Sequence, residues 1–335
     1  MNMYDIAKET GFSIATISRA INNSGYVSEK TREKIMKVID EKGYSVNPFA
    51  KGMATSTMSL AGVLSTDSRD LYQAECIYYL QNALRQHGYT TLLACTGSEL
   101  KNKQDSVRLL LSRNVDVIFL IGSGFVEKSG RDNMYLKEAA NKVPVILMNG
   151  LLENSKVHSI RCDDVKGMKE LTNVVLKGGA TKPILLTRKL TFSAGEKVKG
   201  FEEACKEAGI DPTDRIIHLD PSRKLNDHFE EELDGKDFDA ILCVDDEIAV
   251  FAMKYCAHHG LSVPDQVQIT GYNNSLLSDM PACEITSYDN LINYLCDTSV
   301  SCMIQVLDGK EYPRDSVFSG TLVEKCSTNK AADDQ

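Results

Sequence analysis

"SIATISRAINN", residues 13–23, decides how the first part of the chain is read. Ile17, Ala20 and Ile21 recur at i, i+3 and i+4, the spacing of one buried helical stripe. Ser13 stands where an N-cap is needed, its hydroxyl offered to an orphan amide of the first turn. Upstream, Ile6, Ala7 and Thr10 share one face of a helix over about 4–10, and Gly11 supplies the turn. Downstream, Ser28 caps a longer helix that buries Ile35, Val38 and Ile39 and stops at Gly43. Two short helices about a glycine-containing turn, braced by a third, make a helix-turn-helix pattern.

In such a pattern the second helix is the one offered to a DNA major groove. Its outward positions are Ile14, Ala15, Ser18, Arg19 and Asn22. Arg19 can donate two hydrogen bonds to a guanine edge, Ile14 and Ala15 can meet thymine methyls, and Ser18 can reach either kind of base. Thr16, Asn22 and Asn23 suit phosphate contacts, which position without specifying. A three-helix bundle with a solvated face satisfies the same periodicity, so the helices alone leave both readings open.

Charge leans toward a polyanion partner for this head. The 335 residues carry a formal charge of -9, yet residues 1–60 hold eight Lys/Arg against six Asp/Glu, a net +2. The remainder is at -11. A slightly basic module on an acidic body fits nucleic-acid binding without establishing it. No run approaches the ~18 consecutive apolar residues of a spanning helix. The start, "MNMYDIAKET", lacks the basic and apolar regions of a secretory signal, so no membrane partner is expected. Ten scattered cysteines form no C-x-x-C pair, and several sit inside apolar runs such as "AILCV" (240–244). Reduced thiols and a cytoplasmic setting follow, with no disulfide framework and no zinc site.

From about residue 60, short apolar runs alternate with helical patterns. Strands are expected at 60–65, 90–95, 115–121, 143–148, 183–187, 215–219, 239–244 and 267–272. Helices are expected at 74–89, 165–179, 198–210 and 247–260, several ending in glycine. This βαβα alternation argues for doubly wound parallel sheets, and some ten strands suit two sheets rather than one. The fold class is therefore an all-α helix-turn-helix head followed by an α/β core.

The run "YDIAKETGFSIATISRAINNSGYVSEKTREKIMKVIDEKGYSVNPFAKGM" (4–53) closely resembles the DNA-binding head of the LacI/GalR family. D-[IV]-A, G-x-S, T-[IV]-S-R, V-S-x-x-T-R and G-Y fall in register without gaps. "VPVILMNG" (143–150), "RCDDVKG" (161–167), "KVKGFEEA" (197–204), "AILCVDDEIAVFAM" (240–253) and "VQITGYNN" (267–274) stand where that family has its core motifs. The resemblance implies a transcriptional regulator, a repressor above all, that binds a pseudo-palindromic double-stranded DNA operator as a homodimer. It implies a core of periplasmic-binding-protein type, two doubly wound parallel-sheet subdomains around an effector cleft. The expected organisation is a head over 1–46, a hinge helix and linker over 47–59, and an effector-binding and dimerisation core over 60–335. Within the core, one subdomain is expected at about 60–156 and 288–315, the other at about 157–287 and 316–335.

The hinge, "YSVNPFAKGMATS" (44–56), has Asn47 as N-cap, Pro48 at the first helical position, and Ala50 and Met53 on one face. So short a helix, interrupted by Gly52, is unstable alone in water. The resemblance implies that it folds on the operator beside its dimer mate, Met53 standing where the family's minor-groove leucine stands. The family's proline before the asparagine is Val46 here, and a proline follows instead.

Carried over from the family, the effector pocket is lined by Asp70, Tyr72, Asn149, Lys197, Asp245 and Asn273. Lys197 replaces the arginine that commonly clamps sugar hydroxyls, which loses bidentate geometry. Asn149 and Asn273 replace common aspartates, and no tryptophan is present. Three readings follow: a non-sugar or unusual polar ligand, a sugar or sugar derivative held by substituted contacts, or control by a protein partner without a small molecule.

No enzyme signature competes. "GSGFVE" (122–127) lacks the third glycine of a dinucleotide loop, and neither a P-loop nor G-x-S-x-G occurs. "VDDE" (244–247) at a strand end suits a helix's first turn better than a metal, and no catalytic residue or cofactor is expected. A solute-binding protein would share the core but has no use for residues 1–56.

Overall fold

The computed structural model describes residues 3–22, 25–43, 57–188, 191–220 and 225–330. Asn23 and the hinge positions Asn47, Ala50 and Met53 lie outside these, as does the side chain of Asn22. The chain divides into two compact units, Met1–Met58 and Ser59–Gln335.

In the first unit, α1 (Met3–Thr10), α2 (Ile14–Asn22) and α3 (Glu29–Glu41) pack around Ile6, Ile17, Ala20, Ile35 and Ile39, all buried. Ser13 Oγ accepts the Thr16 amide at 3.2 Å, and Ser28 Oγ accepts that of Thr31 at 3.3 Å. Gly11 takes φ +77°, the left-handed conformation the turn requires. Cations on α3 tie the bundle, with Arg32 donating to the Ala20 carbonyl and Lys34 to that of Thr10.

The second unit opens with β1 (Leu60–Ser65), α4 (Leu71–Gln86), β2 (Thr90–Cys95), α5 (Leu100–Ser112), β3 (Val117–Ile121), α6 (Met134–Ala139), β4 (Val145–Met148) and β5 (His158–Cys162). It continues with α7 (Asp164–Lys177), β6 (Pro183–Thr187), α8 (Phe192–Glu207), β7 (Ile216–His218), α9 (Leu225–Leu233), β8 (Ala240–Cys243), α10 (Asp246–His258) and β9 (Gln268–Thr270). It closes with α11 (Leu276–Asp279), β10 (Ser287–Asp289), α12 (Ile292–Leu307), β11 (Asp315–Phe318) and β12 (Thr321–Val323).

Six parallel strands form the first sheet, in the order β11-β5-β4-β3-β1-β2. Four form the second, β7-β6-β8-β9, also parallel. Both faces of the first sheet are covered, so β3 alternates without any polar residue. Val117, Phe119 and Ile121 pack under α4 and α12, while Ile118 and Leu120 pack toward α5 and α6.

The subdomain boundary differs from expectation. β5 pairs with β4, and β11 pairs with β5, so residues 158–162 and 316–318 belong to the first sheet rather than the second. The chain leaves that sheet after Cys162, not at 156/157, and again after Phe318, not at 315/316. The sequence hid these strands for a physical reason. β5 reads HSIRC, with His158 buried and hydrogen-bonded to the Pro313 carbonyl at 3.0 Å, and β11 is an edge strand with alternating exposure.

α7 and α8 pack backbone to backbone at Gly200, where a Cβ would strike the Val165 carbonyl. Gly200→Ala should therefore lower core stability by about 1–3 kcal/mol or more. Gly195→Ala, on the same helix with nothing within 4 Å of the added carbon, should be neutral or stabilising by up to ~1 kcal/mol. Urea unfolding of the two variants side by side measures the difference.

Candidate functional site

Strand order places the cleft. In the first sheet the chain steps from β1 to β2 on one side and then to β3 on the other, leaving a crevice beyond their carboxyl ends. In the second sheet β6 steps to β7 and then back across to β8, leaving a second crevice. A cavity of about 380 Å³ is bounded by both, with Thr66, Gly122 and Ser123 after β1 and β3, and Arg188, Val244 and Asp245 after β6 and β8. The six residues carried over from the family pocket, Asp70, Tyr72, Asn149, Lys197, Asp245 and Asn273, all line this one cavity.

Three helices point their N-termini at it, and each cap is part of the wall. Asp70 Oδ1 accepts the Gln73 amide at 2.9 Å and starts α4. Thr191 caps α8, and Asp245 Oδ1 accepts the Ile248 amide at 2.8 Å to start α10. Burial holds the Asp70 carboxyl above its usual range despite that hydrogen bond, and Asp245 adds to the rise. Gln73 Oε1 accepts from Ser65 Oγ and from the Thr66 amide, which fixes the loop leading out of β1.

Lys197 does not reach out as a clamp. It is buried, donates to the Val244 carbonyl at 2.9 Å, and lies 3.7 Å from the centroid of the Tyr272 ring. Tyr272 in turn donates to Asp164 Oδ1 at 2.9 Å, and Ser193 Oγ donates to Asp164 Oδ2 at 2.6 Å. Burial raises the Asp164 carboxyl, while Lys197, Ser193 and Tyr272 pull it back. Asn149 is likewise committed, its Oδ1 accepting the Cys162 amide at 3.1 Å, and Asn273 Oδ1 accepts from Asn290 at 2.9 Å.

The guanidinium missing from position 197 is supplied from elsewhere. Arg188, one residue past β6, lines the cavity and donates to Glu247 at 2.6 Å, with Asp245 3.8 Å away. Its Nε is buried without a partner. The Tyr72 hydroxyl is also buried, meeting only the Cys76 thiol and no oxygen or nitrogen. Both residues border the cavity, but these two atoms are turned into the protein behind its surface. One hydrogen bond spans the cleft, from the Ser193 amide to Ser123 Oγ at 3.2 Å. Behind Ser123, the buried Lys103 ammonium donates to the Gly124 carbonyl and to Glu127, each at 2.6 Å.

Each carboxylate of "VDDE" has a structural task. Asp245 caps, Glu247 holds Arg188, and Asp246 accepts the Ser275 amide and hydroxyl and the Ser287 hydroxyl. Asp246 thereby pins the loop carrying Asn273 to the start of α10.

On α2, Ile17 and Ala20 face inward, Ala15 and Arg19 are exposed, and Ile14, Thr16 and Ser18 are half-buried. Of the positions read as outward, two are thus exposed and two half-buried. Arg19 lies along Gly25, whose φ of +76° turns the chain away from the helix.

The head matches the model of bacterial regulatory proteins of the lacI family over residues 2–47, and residues 175–328 match a periplasmic binding protein-like domain. An HTH-type transcriptional regulator of Lachnoclostridium phytofermentans is 35% identical over 335 residues, covering 98% of this chain and 100% of its own. The chain belongs to the LacI family. It is a DNA-binding transcriptional regulator, not an enzyme. A second relative, the HTH-type transcriptional regulator RegA of Clostridium saccharobutylicum, is 26% identical over 97% of this chain and 98% of its own. The Lac repressor dimer bound to operator and the anti-inducer ONPF superposes with TM-score 0.88 at 21% identity, over 98% of this chain and 99% of that one. The regulator CelR in complex with cellobiose gives 0.72 at 20%, over the same shares. At those identities the two structures bear on the fold.

Sequence reasoning missed Arg188, Ser193, Ser123, Asp164 and Lys103. Arg188 had a signal, since a charged residue directly after an apolar strand sits at a carboxyl end. Lys103 had none, because a lysine on a helix reads as solvated until its neighbours are known.

Two measurements probe this framework. Glu127→Gln leaves the buried Lys103 ammonium without its countercharge, and should cost about 2–4 kcal/mol in urea unfolding. Burial lifts the Asp246 carboxyl to about 6, against 3.8 ordinarily. A raised carboxyl holds its proton longer in the folded chain, so its contribution is fullest below pH 4 and fades as pH climbs through 6. The loss amounts to about 3 kcal/mol. Asp246→Asn should flatten that part of the stability profile between pH 4 and 6.5, and a profile parallel to the parent's would contradict the assignment.

Proposed function

We propose that this LacI-family regulator is a cytoplasmic homodimeric repressor whose grip on a pseudo-palindromic operator is set by a polar small molecule in the cleft. The observation that carries the reading is the cavity at the joint carboxyl ends of the two sheets, walled by Asp70, Asp245, Arg188, Lys197, Asn149 and Asn273. Carboxylates at Asp70 and Asp245 beside guanidinium and amide groups suit a neutral molecule with several hydroxyls, a sugar or sugar derivative. The cellobiose complex of CelR and the ONPF complex of the Lac repressor support this class.

Asp70, Tyr72, Asn149, Lys197, Asp245 and Asn273 form the effector site in this reading, joined by Arg188. Ile14, Ala15, Ser18 and Arg19 read bases, and Thr16, Asn22 and Asn23 hold phosphates. Asn47, Ala50 and Met53 form the hinge that folds in the minor groove. An effector that alters subdomain closure alters the spacing of two such hinges in a dimer, and so the cost of folding them. The dimeric Lac repressor supports the homodimer, as do exposed Leu71 and Tyr78 on α4 and Leu276 and Met280 at α11, apolar groups that a second copy would cover.

Thermal unfolding of the full chain against sugars, sugar phosphates, polyols, nucleosides and amino acids tests the effector. A ligand at a hundred times its Kd adds about 2.7 kcal/mol to the folded state. Arg188→Ala should erase the shift produced by the hit, and a panel without any shift would sink the small-molecule reading. For DNA, Arg19→Ala should cost roughly 1–3 kcal/mol on the specific operator and relax preference at one base pair. Fluorescence anisotropy on specific and scrambled duplexes measures both, and an unchanged preference would remove Arg19 from readout.

A further inference from the structure

Two of the chain's thiols meet at the surface of the second subdomain. Cys326 is exposed and Cys283 half-buried, and their side chains are in hydrogen-bonding contact. The backbones hold them there. The Glu284 amide donates to Cys326 Sγ at 3.0 Å, and the Ser327 amide donates to the Glu284 carbonyl at 3.1 Å. Ser327 Oγ accepts the Thr286 amide at 2.8 Å, and the Ser327 carbonyl accepts from Ile269. Lys325 closes the same patch with hydrogen bonds to Asn274 and Ser278 and an ion pair to Asp279 at 2.5 Å. The sulfur of Cys326 therefore lies against the peptide unit that joins Cys283 to Glu284, with both segments fixed by bonds on either side.

We propose that Cys283 and Cys326 form a reversible intramolecular disulfide, a thiol-oxidation site for peroxides. Cys326, the exposed thiol, attacks a peroxide oxygen, the O–O bond breaks, and a sulfenic acid and one water result. Cys283 then attacks the sulfenic sulfur, the S–O bond breaks, and a second water leaves as the disulfide forms. Two thiols are oxidised and one peroxide is reduced to two waters. Burial, and then the contact with Cys326, push the Cys283 thiol up to about 11, so it is not the thiol that meets peroxide first; it gives up its proton to the departing hydroxide as it attacks the sulfenic sulfur.

The bond lies at the base of a long excursion. Between these cysteines the chain runs through β10, crosses to the first subdomain as α12 and β11, and returns as β12. Two of the strands' crossings between subdomains, after Asp289 and after Phe318, fall inside the closed loop. Oxidation thus ties together the two chain segments from which subdomain movement departs, and a loop of this length also restricts the unfolded chain.

Treatment of the full-length protein with a modest excess of hydrogen peroxide, followed by non-reducing peptide mapping, tests the site. The expected product is a single Cys283–Cys326 linked peptide pair, lighter by two hydrogen atoms and restored by dithiothreitol. The melting temperature should rise by several degrees on oxidation, and neither change should occur in Cys326→Ser or Cys283→Ala. Cys95, exposed on the first subdomain, is the internal control and should stay uncrosslinked. Passage of Cys326 to sulfinic acid, a crosslink between two chains, or both thiols still open to alkylation after treatment would each overturn the proposal.

Discussion

The constraint on which the core depends is that a parallel sheet must be covered on both faces by the helices that connect its strands. Every strand end of one polarity then faces the same edge, and a reversal of strand order opens a gap there that no connection crosses. This chain contains that reversal twice, between β1 and β3 and between β6 and β8, and the two open edges bound one cavity. The capping carboxylates Asp70 and Asp245 are in the wall because the helices after those strands begin there. Cap and pocket are the same atoms.

The cavity walls are held by hydrogen-bond networks within and behind them. Lys103 fixes the turn carrying Ser123, Gln73 fixes the exit from β1, and Asp246 fixes the loop carrying Asn273. Asp164, Tyr272 and Lys197 form a buried chain that ends on the Val244 carbonyl. Such networks are costly when broken, since each member is buried beside partners it cannot replace with water. Rigid walls of this kind let a small change in the ligand region be felt as subdomain movement rather than absorbed locally.

Lys197 turns inward to the Val244 carbonyl, and Arg188 brings a guanidinium to the cavity from the adjacent strand end. Asp245 and Glu247 lie beside Arg188 and balance its charge. A position-by-position comparison with the family's sequence motifs sees only the loss at 197. The guanidinium beside the cavity comes from the end of the neighbouring strand.

The sequence alone determined the head and the strand–helix alternation. Their signals are local: caps one residue before a helix, apolar stripes at 3.6 or 2 residues, glycine at left-handed turns. Gly11, Ser13 and Ser28 were legible because capping and turn geometry involve residues at most three apart. Only the tertiary structure decided that β5 and β11 join the first sheet, since a strand reading HSIRC becomes apolar in environment only when His158 finds the Pro313 carbonyl, 155 residues away. Arg188, Lys103 and the Cys283–Cys326 contact are of the same kind. Charged groups and thiols take their roles from neighbours distant along the chain, and those neighbours are set by packing rather than by periodicity.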